Sequence, residues 1–393
     1  MAVCEGTPIY IKWKDCSASV KKSSRNGGNT VKEALIVQAK RTPIGRQNGV
    51  FKTKNVEELT APLLYELSRC VPGTIDEVIL AHTIGPGGNL ARLSLLQGGL
   101  SPSIPGLTLD RQCGGGLEAI RLSAALIKSG SGTCYLAGGS ESTSTSSYKK
   151  RARFSPDEIG DPDMGLAAEY VAQKYGITRA KQDEYARISY TRTYEALQNG
   201  SLKEEILPLF GIDRDEALTR KPPSERLFSR AAPSFLHDGT VTAANCAGIS
   251  DGSCVTVVME GERAKELNMY RGLKILGTAS IGVHPHFPGE APITAIRKLL
   301  DEQNLTVHDI DLFEINEAFS SKVVACAREL HIPLERLNVR GGAIALGHPY
   351  GASGAMLATR LFYEGQKRDA RYAIASAGIA GGLGLSILFE VIK

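Results

Sequence analysis

Apolar positions along the 393-residue chain follow two patterns: short runs closed by glycine or proline, and longer stretches with an apolar residue every three or four positions. The first strong run is EALIVQAKRTPIG, which reads as a buried strand leaving into a loop at Arg41-Thr42-Pro43. Val56–Cys70 carries Leu59, Leu63, Leu64 and Leu67 at helical spacing and predicts a helix. IDEVILAHTIG predicts a strand. GLTLDRQCGGGLEAIRLSAALIKSG starts as a strand and, after Cys113, becomes a buried helix through Leu117, Ile120, Leu122, Leu126 and its alanines. CYLAGGSES closes the unit as a strand ending in a Gly/Ser turn. Strand, helix, strand in this order predicts a right-handed parallel crossover.

The last third repeats the plan. IDLFEINEAF echoes IDEVILAHTI, ALGHPYGASGAMLATRLFYEG is a second glycine-rich turn entering an alanine-rich helix, and YAIASAGIAGG echoes CYLAGGSES. The echo is weak in identity but ordered, and predicts two similar α/β halves from an old duplication, packed in layers. Between them, residues 144–240 are more polar and rich in Lys, Arg, Asp and Pro, with helical stretches AAEYVAQKYG and TRAKQDEYARISYTRTYEAL. This reads as an inserted loop subdomain over one half. The expected division is an extension or expression scar at 1–30, an N-terminal half at 31–260 and a C-terminal half at 261–393.

Composition narrows the function classes. A net charge of +4 argues against a dedicated nucleic-acid binder. No stretch reaches the roughly 18 to 20 apolar residues that cross a bilayer. Residues 1–30 lack the apolar core of a secretory signal, and FEVIK is no peroxisomal address, so a cytoplasmic location is expected. The eight cysteines show no CxxC and no His/Cys cluster at metal-ligand spacing, so no metal is expected. Most read as small buried hydrophobes.

Cys113 is the exception. It lies where a predicted strand becomes a helix, before Gly114, Gly115 and Gly116. The helix dipole and free N–H groups favour thiolate there, so its pKa is expected to fall, and the glycines to let a thioester approach. The competing reading is a packed thiol beside a tight turn. His348, in GGAIALGHPYGASGA, is either a turn residue or the acid, base or oxyanion donor for that thiol. Asn316 and Glu317, at the end of a strand in EINEAFSS, either cap the next helix or hold a water facing a substrate.

RTPIG, DRQCGGGLEAI, AGGSES, DGTVTAANCAGISDG, NEAF and GGAIALGHPYGASGA, in this order, make residues 31–393 resemble the thiolase family. The resemblance implies a thiolase-like layered α-β-α-β-α domain acting on CoA and acyl-CoA substrates, with no bound cofactor. It implies that Cys113 carries the acyl group, that His348 activates it and helps build an oxyanion site, and that Asn316 holds a water completing that site. A second oxyanion site comes from the backbone N–H groups of Cys113 and Ala380. A homodimer or homotetramer is expected with it.

The same alignment shows departures. The family's second catalytic cysteine, which moves the substrate's α-proton, corresponds to Gly378 in SAGIAGGLG, and Ala318 removes the replacement seen in some relatives. Cys326 has no evident route to the site. In the expected CoA-binding segments, the usual serine is Ala247, beside Gly248, and the usual Met-Gly loop is Pro288–Gly289, near His284 and His286. His286 is the candidate ligand contact there; a solvated imidazole is the alternative. The expected activity is therefore a thiolase-type acyltransferase with an altered or impaired Claisen/thiolysis step. The alternatives are a thioesterase or decarboxylating condensing enzyme, and a non-catalytic acyl-CoA-binding homologue.

Overall fold

A computed structural model describes residues 32–147, 151–219 and 222–393. The extension at 1–30 lies outside the described residues. The strands are β1 (Ala34–Arg41), β2 (Gly45–Arg46), β3 (Glu77–Ala81), β4 (Gly106–Leu109), β5 (Cys134–Glu141), β6 (Ser250–Glu260), β7 (Gly272–Gly282), β8 (Leu312–Ile315), β9 (Tyr372–Ile379) and β10 (Leu383–Ile392). The helices are α1 (Val56–Arg69), α2 (Leu90–Gln97), α3 (Gly115–Ser129), α4 (Met164–Lys174), α5 (Arg179–Gln198), α6 (Glu225–Arg230), α7 (Gly261–Glu266), α8 (Ala291–Gln303), α9 (Ser320–Leu330), α10 (Ala343–Leu346) and α11 (Tyr350–Lys367).

The strands join in the order β4-β3-β5-β6-β1-β7-β10-β9-β8, with β2 pairing β6 at the side. The duplication is visible in this order. In the first half β3 pairs in parallel with β4 and β5, and β5 is followed by antiparallel β6 and β1. In the second, β8 pairs in parallel with β9, followed by antiparallel β10 and β7. An isolated parallel bridge from Phe313 to Leu337 stands where β4 stands in the first half. The halves meet through Leu35↔Lys274 and Ile36↔Leu273, on β1 and β7.

β5 and β6 are buried along their whole length. A strand covered on both faces needs no polar alternation, which is why these segments read as near-continuous small or apolar runs. The core helices α3 and α11 pack on each other and against strands of both halves. They form the middle layer of the α/β stack. Their approach requires glycine: a Cβ on Gly116 would lie 2.7 Å from the Ala355 nitrogen, and one on Gly354 would lie 2.4 Å from the Leu117 nitrogen.

The inserted segment is tied to the first strand by charge. Buried Arg41 donates from Nε to Glu205 at 2.7 Å and through both terminal nitrogens to Asp215 at 2.6 and 3.0 Å. Two carboxylates around one guanidinium offset much of the cost of burying it.

Candidate active site

The Cys113 turn is built by its neighbours. β4 runs into Asp110, whose carboxylate accepts the Gln112 N–H at 2.8 Å. This holds Gln112 at φ +45°, left-handed backbone that a non-glycine residue seldom adopts. Cys113 then sits in a single 3₁₀ turn, Gln112–Gly114, immediately before α3. The following glycines face protein and not a ligand. A Cβ on Gly114 would lie 2.2 Å from Ile379 Cδ1, and one on Gly115 would lie 2.6 Å from Ala81 Cβ. The expectation that they admit a thioester is corrected: they let the nucleophile turn pack against β9 and β3.

The second half delivers the imidazole. Gly347 has φ +110°, and His348 donates its backbone N–H to Gly248 O at 2.8 Å. Its Nδ1 is 2.6 Å from Ser353 Oγ, and Ser353 donates its own proton to Pro349 O at 3.2 Å. With the hydroxyl proton committed, Nδ1 carries the ring proton and Nε2 presents a lone pair. Nε2 is 3.1 Å from Cys113 Sγ, and Asn316 Nδ2 is 3.5 Å away on the same nitrogen. All three side chains are buried. The structure thus brings Cys113, His348 and Asn316 together from opposite halves of the chain.

Electrostatics revise one expectation. Burial pushes the Cys113 thiol up to about 11, with Lys322 pulling the other way. Burial, then the nearby Lys322, pushes His348 down to about 3. The resting pair is a neutral thiol facing a neutral imidazole. The expected low-pKa thiolate is not present, because desolvation outweighs the field of a helix that starts only after the 3₁₀ turn. A neutral imidazole with its Nε2 lone pair 3.1 Å from Sγ is placed to accept the thiol proton.

The remaining candidates fall nearby. Ala380 is buried just past β9, whose Ile379 covers Gly114. Ala247 donates its N–H to Ala318 O at 2.9 Å, strapping the NCAG loop to NEAF, and Gly248 beside it is exposed. His286 is half-buried, its ring 5.6 Å from that of Tyr170 and 4.8 Å from that of exposed His284. A Cβ on Gly378 would lie 2.6 Å from Pro288 O and 3.1 Å from Pro292 Cδ. The space for a side chain there is already taken by the loop that precedes α8. Cys326 is buried, its thiol 3.8 Å from Gly289 O.

Glu317 does not cap α9, whose N-cap is Phe319. Its carboxylate accepts from Tyr185 Oη and Ser189 Oγ, each at 2.6 Å, from Asn338 Nδ2 at 3.0 Å and from Ile344 N at 3.2 Å. It fixes the segment that carries Asn316 against α5 and the loop leading to His348. Sequence reasoning missed Ser353 and Lys322. The only sign of Ser353 was its place five residues after the histidine, in the first turn of the next helix. Lys322 had no signal that set it apart from a solvated lysine.

No group of His, Cys, Asp and Glu fit for a metal occurs among the described residues. Nor is any described helix long and apolar enough to cross a membrane. A cavity of about 660 Å³ opens mainly within the inserted segment, with Arg46, Arg226 and Arg230 on its wall beside Tyr190 and Ala244, and with Ala345 of the second half at one side.

A cysteine and histidine facing each other from two repeated halves of a layered α/β domain define a thiolase-type condensing site. The Thiolase, N-terminal domain family matches residues 34–262, and the Thiolase, C-terminal domain family matches residues 271–391. The chain belongs to the thiolase family. It is 54% identical over 361 residues to a Bacillus subtilis (strain 168) protein provisionally named acetyl-CoA C-acetyltransferase YhfS, covering 91% of this chain and 99% of the relative. It is 43% identical over 380 residues to VraB of Staphylococcus aureus (strain COL), provisionally named for the same activity, with 91% and 99% covered. The crystal structure of the Bacillus anthracis acetyl-CoA acetyltransferase superposes with a TM-score of 0.87 at 33% identity, covering 92% of this chain and 99% of that one.

Proposed function

We propose that the protein is an acyl-CoA acyltransferase that carries the acyl group on Cys113. The observation that carries this reading is the 3.1 Å approach of Sγ to an imidazole nitrogen whose tautomer is fixed by Ser353. Sγ attacks the thioester carbonyl as Nε2 takes its proton. The oxyanion forms beside Asn316 and His348, and the N–H groups of Cys113 and Ala380 serve the second oxyanion. Preorganised donors of this kind contribute a few kcal/mol each to the transition state. The departing CoA thiolate recovers the proton from Nε2, leaving an acyl-enzyme. The arginine-bearing cavity suits the phosphates of CoA. In the thiolase reaction this acyl group then joins the α-carbon of a second acyl-CoA, or the reverse.

The test is incubation with acetyl-CoA followed by peptide mass spectrometry, with acetoacetyl-CoA thiolysis assayed in parallel. An acetyl group on Cys113 is expected. Its absence with every acyl-CoA tried overturns the reading. A homodimer or homotetramer is proposed with it, supported by the exposed Leu93, Leu96 and Leu107 along the edge strand β4 and its flanking α2. A monomeric mass in sedimentation would contradict it.

A further inference from the structure

We propose that Lys322 is the group that moves the α-proton of the second acyl-CoA, in the place where a side chain at residue 378 would otherwise do so. The inference rests on the reading that Cys113 is the acyl carrier. Its ground is what lines the small cavity, about 10 Å³, that remains beside Gly378. That cavity is bounded by Met164, Phe319, Pro288, Ala318, Gly378 and Lys322. Among these wall residues only Lys322 can exchange a proton.

Lys322 is an unusual lysine. It is 5% exposed, and its amine makes no hydrogen bond or ion pair among the described residues. It lies in the first turn of α9, where the helix dipole disfavours a cation. The cavity wall that α4 and the loop before α8 present beside it is apolar: Met164, Ala168, Val171, Pro288 and Gly289. A Cβ on Gly289 would come 3.3 Å from Lys322 Cβ, so that glycine leaves room for the stem. The charged and titratable groups that face the amine are Cys113 and His348 across the site, Cys326 one turn along α9, and Glu317 before it. Glu317 already accepts four hydrogen bonds elsewhere. Burial without a carboxylate partner lowers the lysine pKa, so this amine gives up its proton more readily than a solvated lysine does.

The step balances. The Lys322 amine takes one proton from the α-carbon, leaving an enolate on the second acyl-CoA. The enolate carbon attacks the acyl carbonyl on Cys113, the C–S bond breaks, and Cys113 leaves as thiolate, which is reprotonated from the Lys322 ammonium. In thiolysis the same ammonium protonates the departing enolate carbon.

The experiment measures deuterium uptake into the α-position of acetyl-CoA in D₂O, by mass spectrometry, alongside acetylation of Cys113. Exchange needs no acyl-enzyme, so the two readings fail separately. We expect K322M and K322R both to lose exchange by about 10²–10⁴-fold while Cys113 still accepts acetyl. K322R separates base from bystander, because a guanidinium side chain is as long and at least as basic as the lysine but stays protonated and cannot take a proton. Exchange at the wild-type rate in K322R, or no exchange in wild type, overturns the proposal. C113A, which retains Lys322, keeps the test available if the lysine variants do not fold. Its exchange should rise with pH to a midpoint below the ordinary lysine value of about 10.4. A rate that falls as the pH rises from about 6 to 10 overturns it.

Discussion

The two sides of the proposed active site are built differently. On the acyl side every part is in register: a strained turn presents Cys113, and His348 meets it at 3.1 Å with its far nitrogen held by Ser353. On the α-carbon side the position expected to carry a thiol is Gly378, and the backbone of Pro288 stands where the side chain would go. The second side is rebuilt and not merely emptied. A single Cys-to-Gly change would leave a void, whereas here Pro288 and Pro292 close on the glycine and a buried lysine faces the same space. On the proposed reading, the acyl stage keeps its Cys113–His348 pair while the α-proton passes to a side chain on another helix.

The largest effect that would break this comparison is at the nucleophile. Cys113→Ala should abolish the acetyl adduct and lower acyl transfer by about 10⁴-fold or more. If C113A turned over normally, the acyl side would not be the intact side at all. Next in size is the pH dependence of Cys113. A buried thiol with a pKa near 11 is almost wholly protonated at pH 7. Its folded value lies above the assay range, so the thiolate fraction climbs tenfold per pH unit, about 10³-fold between pH 7 and 10. Iodoacetamide labelling of Cys113, followed by peptide mass spectrometry, should rise accordingly. Labelling that is already at a plateau at pH 7 would restore the thiolate that the sequence led one to expect.

That expectation shows what the sequence can and cannot carry. Cys113 before three glycines at a strand-to-helix junction was legible, because the junction is local. The depth of burial that raises its pKa is set by residues such as Ile379, more than 250 positions away, and local patterning does not report it. The echo between IDEVILAHTI and IDLFEINEAF was legible because strands buried on both faces are mostly apolar, with Glu314 the buried exception in the second. The bridge at Leu337 that completes the second half was not, being a single pairing without a strand of its own. Asn316 and His348 were legible only through the family resemblance, since each alone fits a cap or a turn. Lys322 was not legible at all. On a helix whose other positions are half polar, a lysine reads as solvated, and only the packing of α4 and the 288–290 loop over it shows otherwise.

A sharper test of the rebuilt side is Gly378→Cys. If only a side chain had been lost, restoring it would speed carbon–carbon chemistry. With Pro288 O 2.6 Å from the new Cβ, the backbone must move, and overpacking of this kind costs about 1–3 kcal/mol. We expect a lowered unfolding midpoint and no gain in acetoacetyl-CoA thiolysis. A faster enzyme at unchanged stability would mean that the site is a simple deletion.

The smallest effect should come from Ser353→Ala, and it examines the intact side at its support. Ser353 is buried on α11, and alanine suits a helix interior at least as well, so the fold should hold. What is lost is the acceptor for Nδ1–H. The imidazole is then free to place its proton on Nε2, where it cannot take one from Cys113. A hydrogen bond of this kind contributes about 1 kcal/mol, which corresponds to about fivefold in rate. We expect kcat to fall by about that factor with KM for acetyl-CoA and the unfolding midpoint unchanged. A structural role would move the midpoint with the rate, and a change in KM alone would place Ser353 in binding. Only a loss confined to kcat fits a hydroxyl whose work is to keep one nitrogen of His348 unprotonated.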